Sequence, residues 1–95
     1  MRRYQLRHHT PHLVGGAVPI DRGALALVAA EQNFVAMLTW INLVSLASES
    51  RYGPFTAADI HAALPADMAT PPPVEAINAA LTVLHRLDLV LIVPN

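Results

Sequence analysis

The chain has 95 residues and a mass of 10.2 kDa, the size of one small domain. Apolar residues make up 54% of it and charged residues 14%, which excludes disorder over most of the length and leaves few polar side chains to cover a lone monomer, so we expect an apolar partner surface. The formal net charge of −1 excludes a uniformly basic nucleic-acid binder, and the absence of cysteine excludes disulfides and thiolate metal sites.

The first 20 residues show no sustained helical or alternating pattern. Thr10-Pro11, Gly15-Gly16 and Pro19 interrupt them, and the basic start lacks the apolar stretch of a secretory signal. We therefore expect an N-terminal arm or extended segment over residues 1–20 and a domain over residues 21–95.

A long helical pattern follows, from about residue 22 to residue 50. Asp21 is its predicted N-cap, because a carboxylate there can accept hydrogen bonds from the first free amides. The apolar stretch from 24 to 47 is long enough for a membrane span, but Glu31 would be costly at a bilayer centre. We expect a soluble protein without membrane contact, placed in the cytoplasm.

The circumference of this predicted helix is unusually apolar. One narrow polar stripe holds Glu31, Asn42, Ser45 and Glu49, whereas a surface helix needs an apolar stripe of only about 100°. One interpretation makes the apolar side a dimer seam or a groove for a partner, and the other makes it the central core helix of a tight monomer. The predicted interface residues are Phe34, Met37, Trp40, Ile41 and Val44.

Three shorter elements follow the turn at Gly53-Pro54. Thr56 and Asp59 have the spacing of a capping box and predict a second helix of about two turns. A third helix is expected from Pro72 or Pro73 to about residue 87. The β-branched run 89–93 predicts a buried strand.

This order of elements resembles the winged helix-turn-helix superfamily over residues 53–93. The resemblance is carried by residues 53–64 and 74–90, and above all by Leu84-His85-Arg86-Leu87-Asp88-Leu89-Val90, with Asp88 where glycine is usual. It implies that the third helix is the recognition helix and that a wing strand follows. The returning wing strand of such proteins is expected from elsewhere or is absent.

The expected fold is therefore mostly α and winged-helix-like, with a long N-terminal helix, two shorter helices and one C-terminal strand. Two functions fit this fold. The first is a dimeric DNA-binding transcriptional regulator, as the resemblance implies. The second is an adaptor or inhibitor that binds a partner protein through the long helix.

The residues themselves give DNA binding limited support. Glu75 on the recognition helix would repel phosphate, and six arginine and lysine residues stand against seven acidic ones. Arginines and histidines are concentrated near the N-terminus, however, and basic arms of this kind can enter a minor groove. The candidate nucleic-acid contacts are Arg2, Arg3, Arg7, Asn78, His85 and Arg86.

The sequence predicts no enzyme, cofactor or metal site. His8 and His12 have the i, i+4 spacing of helical metal ligands, but Thr10-Pro11 argues against a helix there. No nucleophile is accompanied by a base and an orienting group. We therefore expect a non-catalytic homodimer, with DNA or another protein as its further partner.

Overall fold

A computed structural model describes residues 2–7, 21–50 and 53–94 of the chain. In these ranges it contains strand β1 (Arg3–Leu6), helices α1 (Arg22–Ala30), α2 (Phe34–Ser50), α3 (Ala57–Ala62) and α4 (Val74–Arg86), and strand β2 (Val90–Val93). The protein is mostly helical, as the sequence predicts, and a two-stranded antiparallel sheet packs against its helices.

The long N-terminal helix expected over residues 22–50 is instead two helices. Asp21 caps α1 as predicted, because its Oδ1 accepts from the backbone N–H of Gly23 at 2.8 Å. Helix α1 ends at Ala30, and two residues later Gln32 has a φ of 52°. Asn33 starts the new helix by accepting from the N–H of Ala36 at 3.1 Å. A left-handed residue cannot continue a regular helix, and a side-chain N-cap marks the start of a new one. Together they explain why two helices form here instead of one.

The two shorter helices begin close to the residues at which the sequence predicts them. Thr56 Oγ1 accepts from the N–H of Asp59 at 3.1 Å, and the Asp59 carboxylate accepts from the N–H of Thr56 at 2.9 Å. This reciprocal capping box fixes the start of α3. Helix α4 begins after Pro73, and Asp88 follows it with a φ of 63°, the left-handed conformation that aspartate tolerates.

The sheet contains a strand that the sequence analysis did not anticipate. Residues 3–6, assigned to the N-terminal arm, form β1, and β1 pairs antiparallel with β2 from Arg3 opposite Val93 to Leu6 opposite Val90. Tyr4 also exchanges two backbone hydrogen bonds with Phe55, of 2.7 and 2.8 Å. The start of the chain therefore lies between two later segments. The predicted C-terminal strand is confirmed as β2, and β1 is an additional strand that the expected fold did not include. The rest of the expected arm, residues 8–20, lies outside the described residues.

One hydrophobic core joins all six elements. Tyr4 at its centre has no exposed surface, and Trp40 is 1% exposed. Helix α2 packs against α4, and both helices contribute to this core. Its largest fully buried side chains are Trp40, Tyr4, Leu43, Ile60, Ile77, Leu81, Leu84, Val28, Val44 and Val90.

Candidate interaction surfaces

The outward face of α2 carries three apolar side chains near the start of the helix. Phe34, Leu38 and Ile41 follow one another at spacings of four and three residues, which places them on one side of the helix. Phe34 is 72% exposed and Ile41 41% exposed, while Leu38 is half-buried. These three residues are called the outer strip below.

Two of the predicted interface residues lie on the inward face of α2. Trp40 and Val44 are 1% and 0% exposed and belong to the core of this chain. They are core residues rather than interface residues, because side chains with almost no exposed surface cannot contact a partner. Met37 is half-buried and packs against the same core. Phe34 and Ile41 keep the exposure that the prediction requires.

A shallow groove lies at the corner where α1 gives way to α2. Its volume is about 350 Å³, and Phe34 itself forms part of its wall. None of its lining residues carries a charge. They are Val28, Ala29, Gln32, Asn33, Phe34 and Met37. This cavity is called the corner groove, and it is continuous with the outer strip through Phe34.

Part of the predicted nucleic-acid contact set meets at the N-terminal end of α4. Arg2 and Asn78 line one cavity of about 240 Å³, together with Glu75 and three apolar residues. The Oδ1 atom of Asn78 already accepts a hydrogen bond of 2.8 Å from the Tyr4 hydroxyl. Arg3 lies on the neighbouring strand and donates to the carbonyl oxygen of Pro94 at 3.5 Å.

The remaining candidate contacts lie at the opposite end of α4. Arg7 Nε lies 3.3 Å from Asp88 Oδ1, and the Arg86 guanidinium pairs closely with the Glu31 carboxylate. His85 is exposed in the last turn of the helix. At 1.5 Å per residue, Arg86 is about 12 Å along the axis from Asn78. The predicted contacts therefore fall into two groups at the two ends of α4.

Several residues of these surfaces escaped the sequence analysis. Leu38 was not among the predicted interface residues, although its spacing from Phe34 and Ile41 is a visible signal. The pairing of Glu31 with Arg86 joins residues 55 positions apart, and nothing local in the sequence indicates it. The burial of Tyr4 had a weak signal in the alternation of polar and apolar residues over 3–6.

Across residues 2–7, 21–50 and 53–94, no three histidine or acidic side chains gather as a metal site would require; His8, His9 and His12 lie outside these ranges. No helix of the described chain has both the length and the apolarity of a membrane crossing.

Comparison of the chain with protein-family models, with curated proteins and with solved structures gives no match.

Proposed function

We propose that this protein is a small non-catalytic module that binds another protein through the outer strip of α2. The observation that carries the proposal is the 72% exposure of Phe34, which lies on one helix face with Leu38 and Ile41. Full burial of a phenylalanine side chain is worth about 1.5–3 kcal/mol. Most of that free energy is not realised in the single chain and is available to a partner with an apolar surface.

The arrangement of α3, α4 and β2 supports a winged-helix-like architecture for this module. A short capped helix, a loop, a longer helix and a strand follow in the order that such modules have. Strand β1 pairs antiparallel with β2 and takes the position expected of the returning wing strand. In this interpretation the N-terminus of the same chain completes the wing.

The electrostatics favour a protein over a nucleic acid as the partner. Duplex affinity depends on cations that are free to neutralise phosphates. Arg7 and Arg86 each have a carboxylate partner, and Arg2 shares its cavity with Glu75. A phosphate backbone would have to compete with these carboxylates for the arginines.

A second candidate function is that of a dimeric DNA-binding regulator. It is favoured by the position of Arg2, which shares a cavity with Asn78 near the start of α4, the helix that the winged-helix interpretation makes the recognition helix. Asparagine can read adenine in the major groove. Asn78 would first have to exchange its hydrogen bond from Tyr4 for one to a base.

Site-specific photo-crosslinking in cells that make the protein tests the first proposal. A benzophenone side chain replaces Ile41 in one variant and Leu91 on β2 in the control, since these residues are 41% and 40% exposed. We expect a discrete protein adduct from position 41 and none from position 91. Equal labelling from both positions, or no protein adduct from position 41, would contradict a binding surface on α2.

A further inference from the structure

The loop between α3 and α4 contains three consecutive prolines, Pro71, Pro72 and Pro73, which are called the proline segment below. Pro71 and Pro73 are exposed and Pro72 is half-buried. Pro73 has a φ of −70° and a ψ of 165°, close to the polyproline II values of about −75° and +145°. The ring of each proline fixes φ, and a proline that follows restricts ψ to the same region. The segment therefore forms about one turn of a polyproline II helix, which has three residues per turn.

The start of α4 does not account for these three prolines. Proline is favoured at the first helical position, where its missing N–H would have no partner, but Val74 occupies that position. The prolines stand at the N-cap and the two positions before it. Pro73 gives the helix no side-chain cap, which serine, threonine, asparagine or aspartate could give there. Positions where the residues do not serve the local structure are typical of functional sites.

The proline segment also has free hydrogen-bond acceptors. In the described part of the chain, the carbonyl oxygens of Pro71 and Pro72 accept no backbone hydrogen bond. The carbonyl oxygen of Pro73, by contrast, accepts from the N–H groups of Ala76 and Ile77 at 3.0 and 3.1 Å. The segment therefore offers a partner both apolar ring surface and two carbonyl oxygens in a conformation that exists before binding.

These features fit a groove lined by aromatic side chains. Grooves of this kind in SH3, WW and EVH1 domains bind polyproline II segments, because little conformational entropy is lost on binding. Aromatic rings pack on the proline rings, and a tryptophan N–H or a tyrosine O–H can donate to the free carbonyl oxygens. The charged residues within 64–75 are Asp67 and Glu75, both acidic and exposed. A basic residue beside the groove would complement them.

We infer that the proline segment is a recognition site for a protein domain whose groove is lined by aromatic side chains. The exposed rings of Pro71 and Pro73 pack against the aromatic side chains of the groove, and the carbonyl oxygens of Pro71 and Pro72 accept hydrogen bonds from it. The proline segment lies in a different part of the chain from the outer strip of α2. This inference therefore goes beyond the proposed function and does not depend on it.

An NMR titration of the ¹⁵N-labelled chain tests the inference, with isolated WW, SH3 and EVH1 domains as the probes. Prolines have no N–H, so the amides of Thr70 and Val74 report on the segment between them. We expect at least one of the three domains to shift both amides in a saturable way. The amide of Ile41, on the outer strip, should not move.

Two variants of the same loop show whether the prolines themselves are bound. The double substitution Pro71→Ala with Pro72→Ala removes two rings and keeps Pro73 at the N-cap of α4. It should lose at least about tenfold in affinity, because each substitution removes two ring methylenes from the contact. Pro65→Ala is the matched control, since Pro65 is another exposed proline of this loop, and it should bind like the wild type.

Three results would overturn the inference: none of the domains shifts the two reporter amides, the double variant binds like the wild type, or Pro65→Ala loses as much affinity as the double variant. The fluorescence of Trp40, the single tryptophan, checks that each variant is folded before the probe is added. Shifts that centre on Phe34 and Ile41 instead would also contradict the inference. They would still support the proposed function, so the two failures are distinguishable.

Discussion

The hydroxyl of Tyr4 donates a 2.8 Å hydrogen bond to Oδ1 of Asn78 across 74 positions of sequence. Tyr4 is completely buried, and its backbone pairs with β2 on one side and with Phe55 on the other. Its hydroxyl extends to α4, where Asn78 accepts the hydrogen bond. This contact ties the first residues of the chain to the helix that the winged-helix interpretation assigns to recognition. A buried tyrosine with a bonded hydroxyl is the usual way to place this amphipathic side chain.

Removal of either partner of this hydrogen bond should lower the free energy of unfolding. Tyr4→Phe should cost about 0.5–1.5 kcal/mol, and Asn78→Ala about 1–3 kcal/mol because it leaves the hydroxyl without its acceptor. The double variant should be less destabilised than the two single effects added together. Urea unfolding of the four proteins checks this, and strictly additive effects would show that the two groups do not interact.

Replacement of the buried Thr39 is expected to stabilise the protein. Its side chain is fully buried, and its hydroxyl has no hydrogen-bond partner in the described part of the chain. Thr39→Val keeps the shape and has a similar helix propensity, so it should raise the free energy of unfolding by about 1 kcal/mol. Thermal and urea unfolding measure the change. A loss of stability would show that the hydroxyl is bonded in solution.

Removal of the capping box of α3 should lower the free energy of unfolding, and α4 offers a matched control. Thr56→Ala should cost about 0.5–2 kcal/mol, because the N–H of Asp59 loses its acceptor. Thr82 is exposed in the interior of α4 and donates to the carbonyl oxygen of Asn78. Thr82→Ala should therefore be neutral or slightly stabilising. Similar losses from both substitutions in urea unfolding would argue against a capping role for Thr56.

Duplex DNA should bind weakly and with a shallow dependence on salt. If Arg2 and Arg3 supply the available cations, log affinity should fall against log salt with a slope of roughly −2. Arg2→Ala should make the slope shallower by about one, whereas Arg22→Ala, on α1, should leave it unchanged. Fluorescence anisotropy with a labelled duplex measures both. A much steeper slope in the wild type would favour the DNA-binding candidate.

The elements that were predicted correctly each have a local signal. Helix α3 begins at its Thr56 cap, α4 begins after Pro73, and Asp88 adopts the left-handed conformation that ends α4. Caps, prolines and left-handed residues act within a few positions of themselves. Sequence alone therefore locates these boundaries well.

The elements that were missed depend on distant parts of the chain. Four residues are too short for a convincing alternation, and β1 is stabilised as a strand by β2 and Phe55, which lie more than 45 positions away. The polar residues 31–33 interrupt the apolar run in the sequence. The same pattern would arise from a break between two helices or from polar residues on the exposed side of one continuous helix. The cap from Asn33 distinguishes them.

For the same reason, the sequence predicts only part of the candidate interface. The excess of apolar surface on α2 follows from composition and spacing. The side of the helix that faces the core is decided by the packing of α4 and the sheet, which places Trp40 and Val44 inside and leaves Phe34 and Ile41 outside. A helical wheel contains no information about the neighbouring elements.

Light scattering of the purified wild-type protein, measured from low to high micromolar concentration, tests the central claim most directly. If the outer strip is the association surface of the homodimer that the sequence predicts, the mass should rise with concentration from 10.2 kDa towards twice that value, and Ile41→Glu should hold it at the monomer mass. A wild-type mass that stays at 10.2 kDa across the whole range would show that the chain tolerates an exposed Phe34 without a second copy.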